Sequence, residues 1–216
     1  MTRQFICLIA GALFCASPVL AEKVGTETIK LAKYDEKNLF QLKRPEVALD
    51  LKEKHEYYDI RGTSLTELRK QMKENGTRWN DNHTYAALTT WNIRYNYDIN
   101  ESGGRYSVAS VKTKVDIVYR YPRLASAAGM SEQLAGQWSS YMENVTIHEI
   151  GHKDIAVKAA ADINGALSSL GNFSSRRELN NVVDRVVEAR LKTLKEDQIR
   201  YDAETHHGET QGAILR

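Results

Sequence analysis

Residues 131–172 read SEQLAGQWSSYMENVTIHEIGHKDIAVKAAADINGALSSLGN. Ser131 is a helix N-cap, and Gly171 with Asn172 is a stop. Between them Leu134, Trp138, Tyr141, Val145, His148, His152, Ile155, Ala159, Ile163, Ala166 and Leu170 recur at threes and fours. That spacing predicts one helix from about Glu132 to Leu170 with a continuous apolar stripe. Ser175 opens a second run to roughly Tyr201, with Leu179, Val182, Val183, Val186, Val187, Leu191, Leu194 and Ile199 as its stripe. Helices joined by so short a loop pack antiparallel.

Upstream the period changes from 3.6 to two. In YAALTTWNIRYNYDI, Tyr85, Ala87, Thr89, Trp91, Ile93, Tyr95, Tyr97 and Ile99 fall on one face, and polar residues alternate with them. NESGGR is a turn, and RYSVASVKTKVDIVYRYP returns with Val111, Val115, Ile117 and Tyr119 on one face, closed by Pro122. This is a long antiparallel hairpin. HEYYDI reads as a short strand. TSLTELRKQMKENG reads as a helix with a capping box, Ser64 with Glu67, and a stop at Gly76. The expected fold is α+β: a small antiparallel sheet with a long β-hairpin, packed on a hairpin of two long helices.

Residues 1–21 have the layout of a signal peptide, with Arg3, an apolar run from Phe5 to Ala16, and small residues Val19 and Ala21 before the cleavage point. The run is too short for a comfortable membrane span. Phe14 before Cys15 argues against a lipoprotein. Both cysteines, Cys7 and Cys15, lie in this leader, so the mature chain is expected to be exported and free of disulfides. Residues 22–54 read as a charged N-terminal arm, and 55–216 as a single domain. The formal net charge is +2, one unit lower without Arg3, and no long basic block is present. Nucleic acid therefore has no electrostatic footprint, and no stable membrane anchor is expected.

HEIGH, residues 148–152, carries the chemistry. His148 and His152 stand one turn apart on the apolar stripe, where two buried imidazoles need partners. A zinc ion satisfies both. Glu149 points about 100° round the helix from His148 and is placed to act as general base towards a water. Gly151 costs the helix about 1 kcal/mol against Ala, which makes sense if another group must come close. The longer pattern H-E-x-x-H-x-x-G-x-x-H is excluded, because Ile155 and Lys158 stand at its last two positions. Asp154 and Asp162 lie off the histidine face. With a turn near residue 172, antiparallel pairing sets 193–197 beside the histidines and offers Glu196 or Asp197 as third ligand. The tail YDAETHHGETQGA, folding back past the helix end, offers His206 or His207.

HEIGH on a long helix after Trp138, the strand TTWNIRYNY and the tail YDAETHHGETQGA together resemble a bacterial family catalogued as a domain of unknown function and labelled a predicted secreted Zn-dependent protease. The likeness covers about residues 55–215. The family's tail motif, Y-D-x-x-T-x-H-G, lands on Tyr201, Asp202, Thr205, His207 and Gly208, and implies His207 rather than His206 as third ligand. It leaves Tyr201 and Asp202 to hold a ligand histidine, polarise a substrate carbonyl or close the helix. Relatives carry a cysteine in the second hairpin strand that is missing here. The expectation is a secreted or periplasmic zinc metallopeptidase, a hydrolase acting on a peptide or protein substrate. Zn2+ would be held by His148, His152 and His207, with Glu149 as general base. The competing expectation is a non-catalytic envelope protein with a structural metal and a partner-binding role. A zinc amidase acting on a cell-wall peptide bond is a third.

Overall fold

The computed structural model describes residues 2–3, 45–79 and 82–216. The leader, apart from Thr2–Arg3, and residues 22–44 of the arm lie outside the described residues. A four-stranded sheet is made by β1 (Thr2–Arg3), β2 (Glu46–Ile60), β5 (Leu88–Ser102) and β6 (Arg105–Leu124), in the order β1-β5-β6-β2. Two short strands, β3 (Thr77–Arg78) and β4 (Thr84–Tyr85), pair beside it. The helices are α1 (Leu65–Asn75), α2 (Glu132–Ser168) and α3 (Arg176–Thr205).

The hairpin β5–β6 forms as its alternation requires, with Gly103 and Gly104 at φ 57° and 70° in the turn. Two successive left-handed positions suit glycine and match the twist of a tight hairpin. Trp91, Ile93, Tyr95 and Tyr97 from β5, with Val111, Val115, Ile117 and Tyr119 from β6, make the buried face. Pro122 does not close the hairpin: β6 runs on to Leu124.

The expectation of an antiparallel sheet is corrected: the sheet is mixed. β2 lies parallel to β6 through fifteen paired residues, Glu46↔Ser110 to Ile60↔Leu124. Residues 46–54, read as arm, are the first part of this strand. α1 follows, with Ser64 accepting from the Glu67 amide and the Glu67 carboxylate accepting from the Thr63 amide.

α2 lies across the buried face, and α3 packs against α2. The buried face of α2 departs from the expected stripe beyond His152. Ala156, Ala160, Ile163 and Leu167 are fully buried, whereas Ile155 and Leu170 are only partly so. The small alanines let the helix sit close on the sheet while Ile155 rotates to its flank. Thr113 on β6 donates to Asn164 Oδ1, and Asn164 Nδ2 donates to the Ala48 carbonyl at 3.2 Å, tying helix and two strands together in the core. The loop between the long helices is not a plain reversal. Phe173 pairs with Tyr106 through two backbone hydrogen bonds of 3.0 and 2.8 Å, drawing the chain towards the start of β6 before α3 begins.

Candidate metal centre

His148 and His152 face α3 and the tail, while Glu149 between them meets the sheet at Thr89. α3 begins at Arg176 behind its Ser175 cap as expected, but the residues opposite the histidines are Gln198, Tyr201, Asp202 and Thr205, not 193–197. Glu196 is exposed and pairs with Lys192, and Asp197 pairs with Arg200. Asp162 pairs with Lys158 at the surface, and Asp154 with Lys153.

The two imidazoles turn their Nε2 atoms to each other at 3.2 Å. Asp202 Oδ1 lies 3.3 Å from His148 Nε2 and 3.1 Å from His152 Nε2. Among the described residues, these three form the group of side chains whose ligand atoms converge as a metal site requires. The other ring nitrogens are engaged: His148 Nδ1 with Gln211 Oε1 at 3.0 Å, and His152 Nδ1 with Gln198 Oε1 at 2.5 Å. Gln198 Nε2 also donates to the His152 carbonyl at 2.9 Å, which fixes its amide with the oxygen towards the ring. With Nδ1 donating to an amide oxygen in each ring, both Nε2 atoms face a shared carboxylate, as donors when protonated and as lone pairs when not. Two lone pairs and a carboxylate at such separations need a proton or a cation between them. A His–His–Asp donor set with its outer nitrogens held by amide oxygens fits a divalent ion such as zinc.

Glu149 is buried at 5% exposure. Thr89 Oγ1 on β5 donates to Glu149 Oε2 at 2.6 Å, fixing the carboxylate against the sheet. Burial pushes the Glu149 carboxyl above its usual range, against the pull of His152, Thr89 and His148. Asp202 is the reverse. Burial opposes its charge, but hydrogen bonds from His148 and His152, with the charges of His152 and His207, hold it well below the carboxylate range. For His152, burial alone lowers the pKa, and the hydrogen bond and charge of Asp202 outweigh it and raise it.

Tyr201 explains Gly151. Its ring stacks on His148 with centroids 5.1 Å apart and meets His152 edge-on at 5.0 Å. A Cβ on Gly151 would come within 2.1 Å of the Tyr201 Oη. That hydroxyl donates to the His148 carbonyl at 3.2 Å, so Tyr201 holds the metal-site helix rather than lining the cavity.

The cavity over the site is walled by residues Thr84 to Thr89 and Trp91 on one side. Tyr141, Val145, His148, Glu149 and His152 form the helix side, with the buried Asp202 beside them and the more exposed His207 completing the lining. His207, expected as third ligand, is half-exposed, with Nδ1 3.6 Å from Asp202 Oδ1. It neighbours the convergent group but is not one of its three members. His206 is exposed and caps α3 in the left-handed conformation at φ 49°.

A match over residues 55–208 to a family of bacterial proteins of unknown function, DUF922, takes in the end of β2, the β5–β6 hairpin, all three helices and His148, Glu149, His152, Gln198, Asp202 and His207. The chain belongs to that family. No curated protein and no solved structure matches it. In this DUF922 chain no described helix is long and apolar enough to cross a membrane.

Gln198 and Gln211 escaped the sequence reading, and Asp202 entered it through the tail motif, not as one of the three expected ligands. A signal for Gln198 and Asp202 was present: the α3 stripe continues past Leu194 as Gln198, Asp202 and Thr205, at spacings of four, four and three, all buried. Polar residues occupying an apolar stripe opposite two histidines are the mark of a site. For Gln211, on the folded-back tail, no comparable pattern exists.

Proposed function

We propose that the protein is an exported zinc-dependent metallopeptidase, zincin-like in arrangement, acting in the periplasm or outside the bacterial cell on a peptide or protein substrate. The observation that carries this reading is the convergence of His148 Nε2, His152 Nε2 and Asp202 Oδ1 beside a buried Glu149 at the base of an open cavity. His148, His152 and Asp202 would hold the ion, with Asp202 in the position first assigned to His207. A bound zinc ion supplies Lewis-acid polarisation of a carbonyl and acidifies water.

The chain's own residues do the rest. Glu149, whose raised pKa brings it nearer to neutrality, takes a proton from water and returns it to the leaving amine. Thr89 keeps that carboxylate aimed. His207, which completes the lining, faces the space a substrate carbonyl would enter. The wall of residues 84–89, the end of β4 and the start of β5, would offer backbone to a peptide by strand addition.

A second reading, a non-catalytic envelope protein with a structural metal, draws on the nearness of His207 to Asp202, which would allow a closed four-ligand site. Zinc content and casein or peptide-library hydrolysis of wild type, Glu149→Gln and His207→Ala separate the two. The peptidase reading expects about one zinc in all three, with hydrolysis abolished in Glu149→Gln. Zinc bound without hydrolysis in wild type selects the structural reading, and activity unchanged in Glu149→Gln removes the peptidase mechanism built on Glu149.

A further inference from the structure

Gln211 lies outside HEIGH and outside α3, in the 3-10 turn Glu209–Gln211 of the tail. Its amide nonetheless bridges three parts of the centre. Oε1 meets His148 Nδ1 at 3.0 Å, Nε2 donates to Tyr201 Oη at 3.1 Å, and Tyr201 Oη donates on to the His148 carbonyl. Both ends of His148, ring and backbone, are thus fixed through one side chain of the tail.

The tail is built to deliver that side chain. After α3 the backbone passes through His206, His207 and Gly208 at φ 49°, 53° and 84°, three left-handed residues in succession. Non-glycine residues there are strained by roughly 1 kcal/mol or more each, which the surroundings must offset. Gly208 permits the closest approach, since a Cβ on it would come within 3.1 Å of the His148 ring and 2.9 Å of Ala213. Beyond the turn, Asn144 Nδ2 donates to the Gly212 carbonyl at 3.0 Å. Arg69 Nε donates to the Leu215 carbonyl at 2.9 Å, and the Leu215 side chain is buried. The reversal is anchored on α1 and α2.

We propose that Gln211 is a positioning residue for the metal centre: by accepting from His148 Nδ1 it holds that imidazole with Nε2 aimed at the ion, so the docked tail completes the site. Gln198 does the same for His152 from within α3. The inference rests on the metal-binding reading above. An amide oxygen on the far nitrogen of a ligand histidine fixes ring orientation and tautomer, and its loss costs about 10–100-fold in metal affinity.

The test is zinc affinity by chelator competition on the full chain, with the cobalt(II)-loaded protein examined by NMR for the exchangeable ring N–H protons of the ligand histidines. Wild type should show two such protons. Gln211→Ala should bind zinc about 10–100-fold more weakly and lose the His148 signal to solvent exchange. Gln211→Glu, which keeps an acceptor there, should restore both. Gln137→Ala removes a different tail contact, Gln137 Nε2 to the Arg216 carbonyl, and should leave affinity and spectrum unchanged. Wild-type affinity and an unchanged His148 signal in Gln211→Ala overturn the proposal while leaving the metal reading intact. If Gln211→Ala does not fold, failure of Gln211→Glu to keep the signal overturns it equally. Failure of wild type to take up either metal overturns both.

Discussion

Replacing Gly151 by alanine sets two opposed effects against each other. In an open helix interior the change gains about 1 kcal/mol of helix propensity. Gly136 and Gly165 on the same helix are such positions, with nothing within 4 Å of an added Cβ. At Gly151 the new methyl would stand 2.1 Å from Tyr201 Oη and 2.4 Å from its Cζ. Those are rigid ring atoms, and the ring cannot retreat without leaving its stack on His148. Overpacking of this kind costs roughly 1–3 kcal/mol, enough to cancel or exceed the propensity gain. Since 1 kcal/mol moves the melting temperature of a domain this size by about 2–4 °C, Gly165→Ala should melt about 2–4 °C higher than wild type. Gly151→Ala should melt at or below wild type, and it should bind zinc at least about tenfold more weakly because Tyr201 and the ring beside it are displaced. Thermal unfolding by circular dichroism with parallel zinc titration decides. A Gly151→Ala protein as stable as Gly165→Ala, with unchanged zinc affinity, would refute the packing account of Tyr201.

Further expectations concern the core, the pH range and the ion. Asn164→Ala strips the partner from the buried Thr113 hydroxyl and the Ala48 carbonyl, and should cost about 1–3 kcal/mol in denaturant unfolding. Leu167→Ala should cost about 2–5 kcal/mol because its side chain is fully buried. Burial pushes Tyr141 up to about 12, with Glu149's charge adding to it, and raises Tyr58 and Tyr121 further. A phenol whose folded pKa exceeds its unfolded value stabilises the fold fully below pH 10, and that contribution is lost as pH rises from 10 to 12. Absorbance titration of the tyrosines should therefore show a late group that ionises only with unfolding. Removing zinc with a chelator, from a level of a thousand dissociation constants, should lower stability by about 4 kcal/mol, seen as a drop in melting temperature.

The helices and the β5–β6 hairpin were legible because each buries one face and announces its period over a dozen residues or more. β2 was not. Its first ten residues alternate Val47, Leu49 and Leu51 with charges, yet all are exposed or nearly so, and its parallel partner β6 lies more than sixty residues away without a turn to signal the pairing. At the metal centre His148, Glu149 and His152 were readable because their spacing equals one helical turn. The acid opposite them was not, because its position depends on how many residues the interhelical loop uses. The reversal uses residues 169–175 instead of turning at 172, α3 runs on to Thr205, and Asp202 arrives where Glu196 or Asp197 was expected.

The most direct measurement is an X-ray structure of the zinc-loaded protein with anomalous data collected at the zinc edge. The account predicts one strong peak within bonding distance of His148 Nε2, His152 Nε2 and the Asp202 carboxylate, with Glu149 beside it and not bound to it. A peak ligated by Glu196, or by His206 and His207 away from HEIGH, or no peak between His148 and His152, would contradict it.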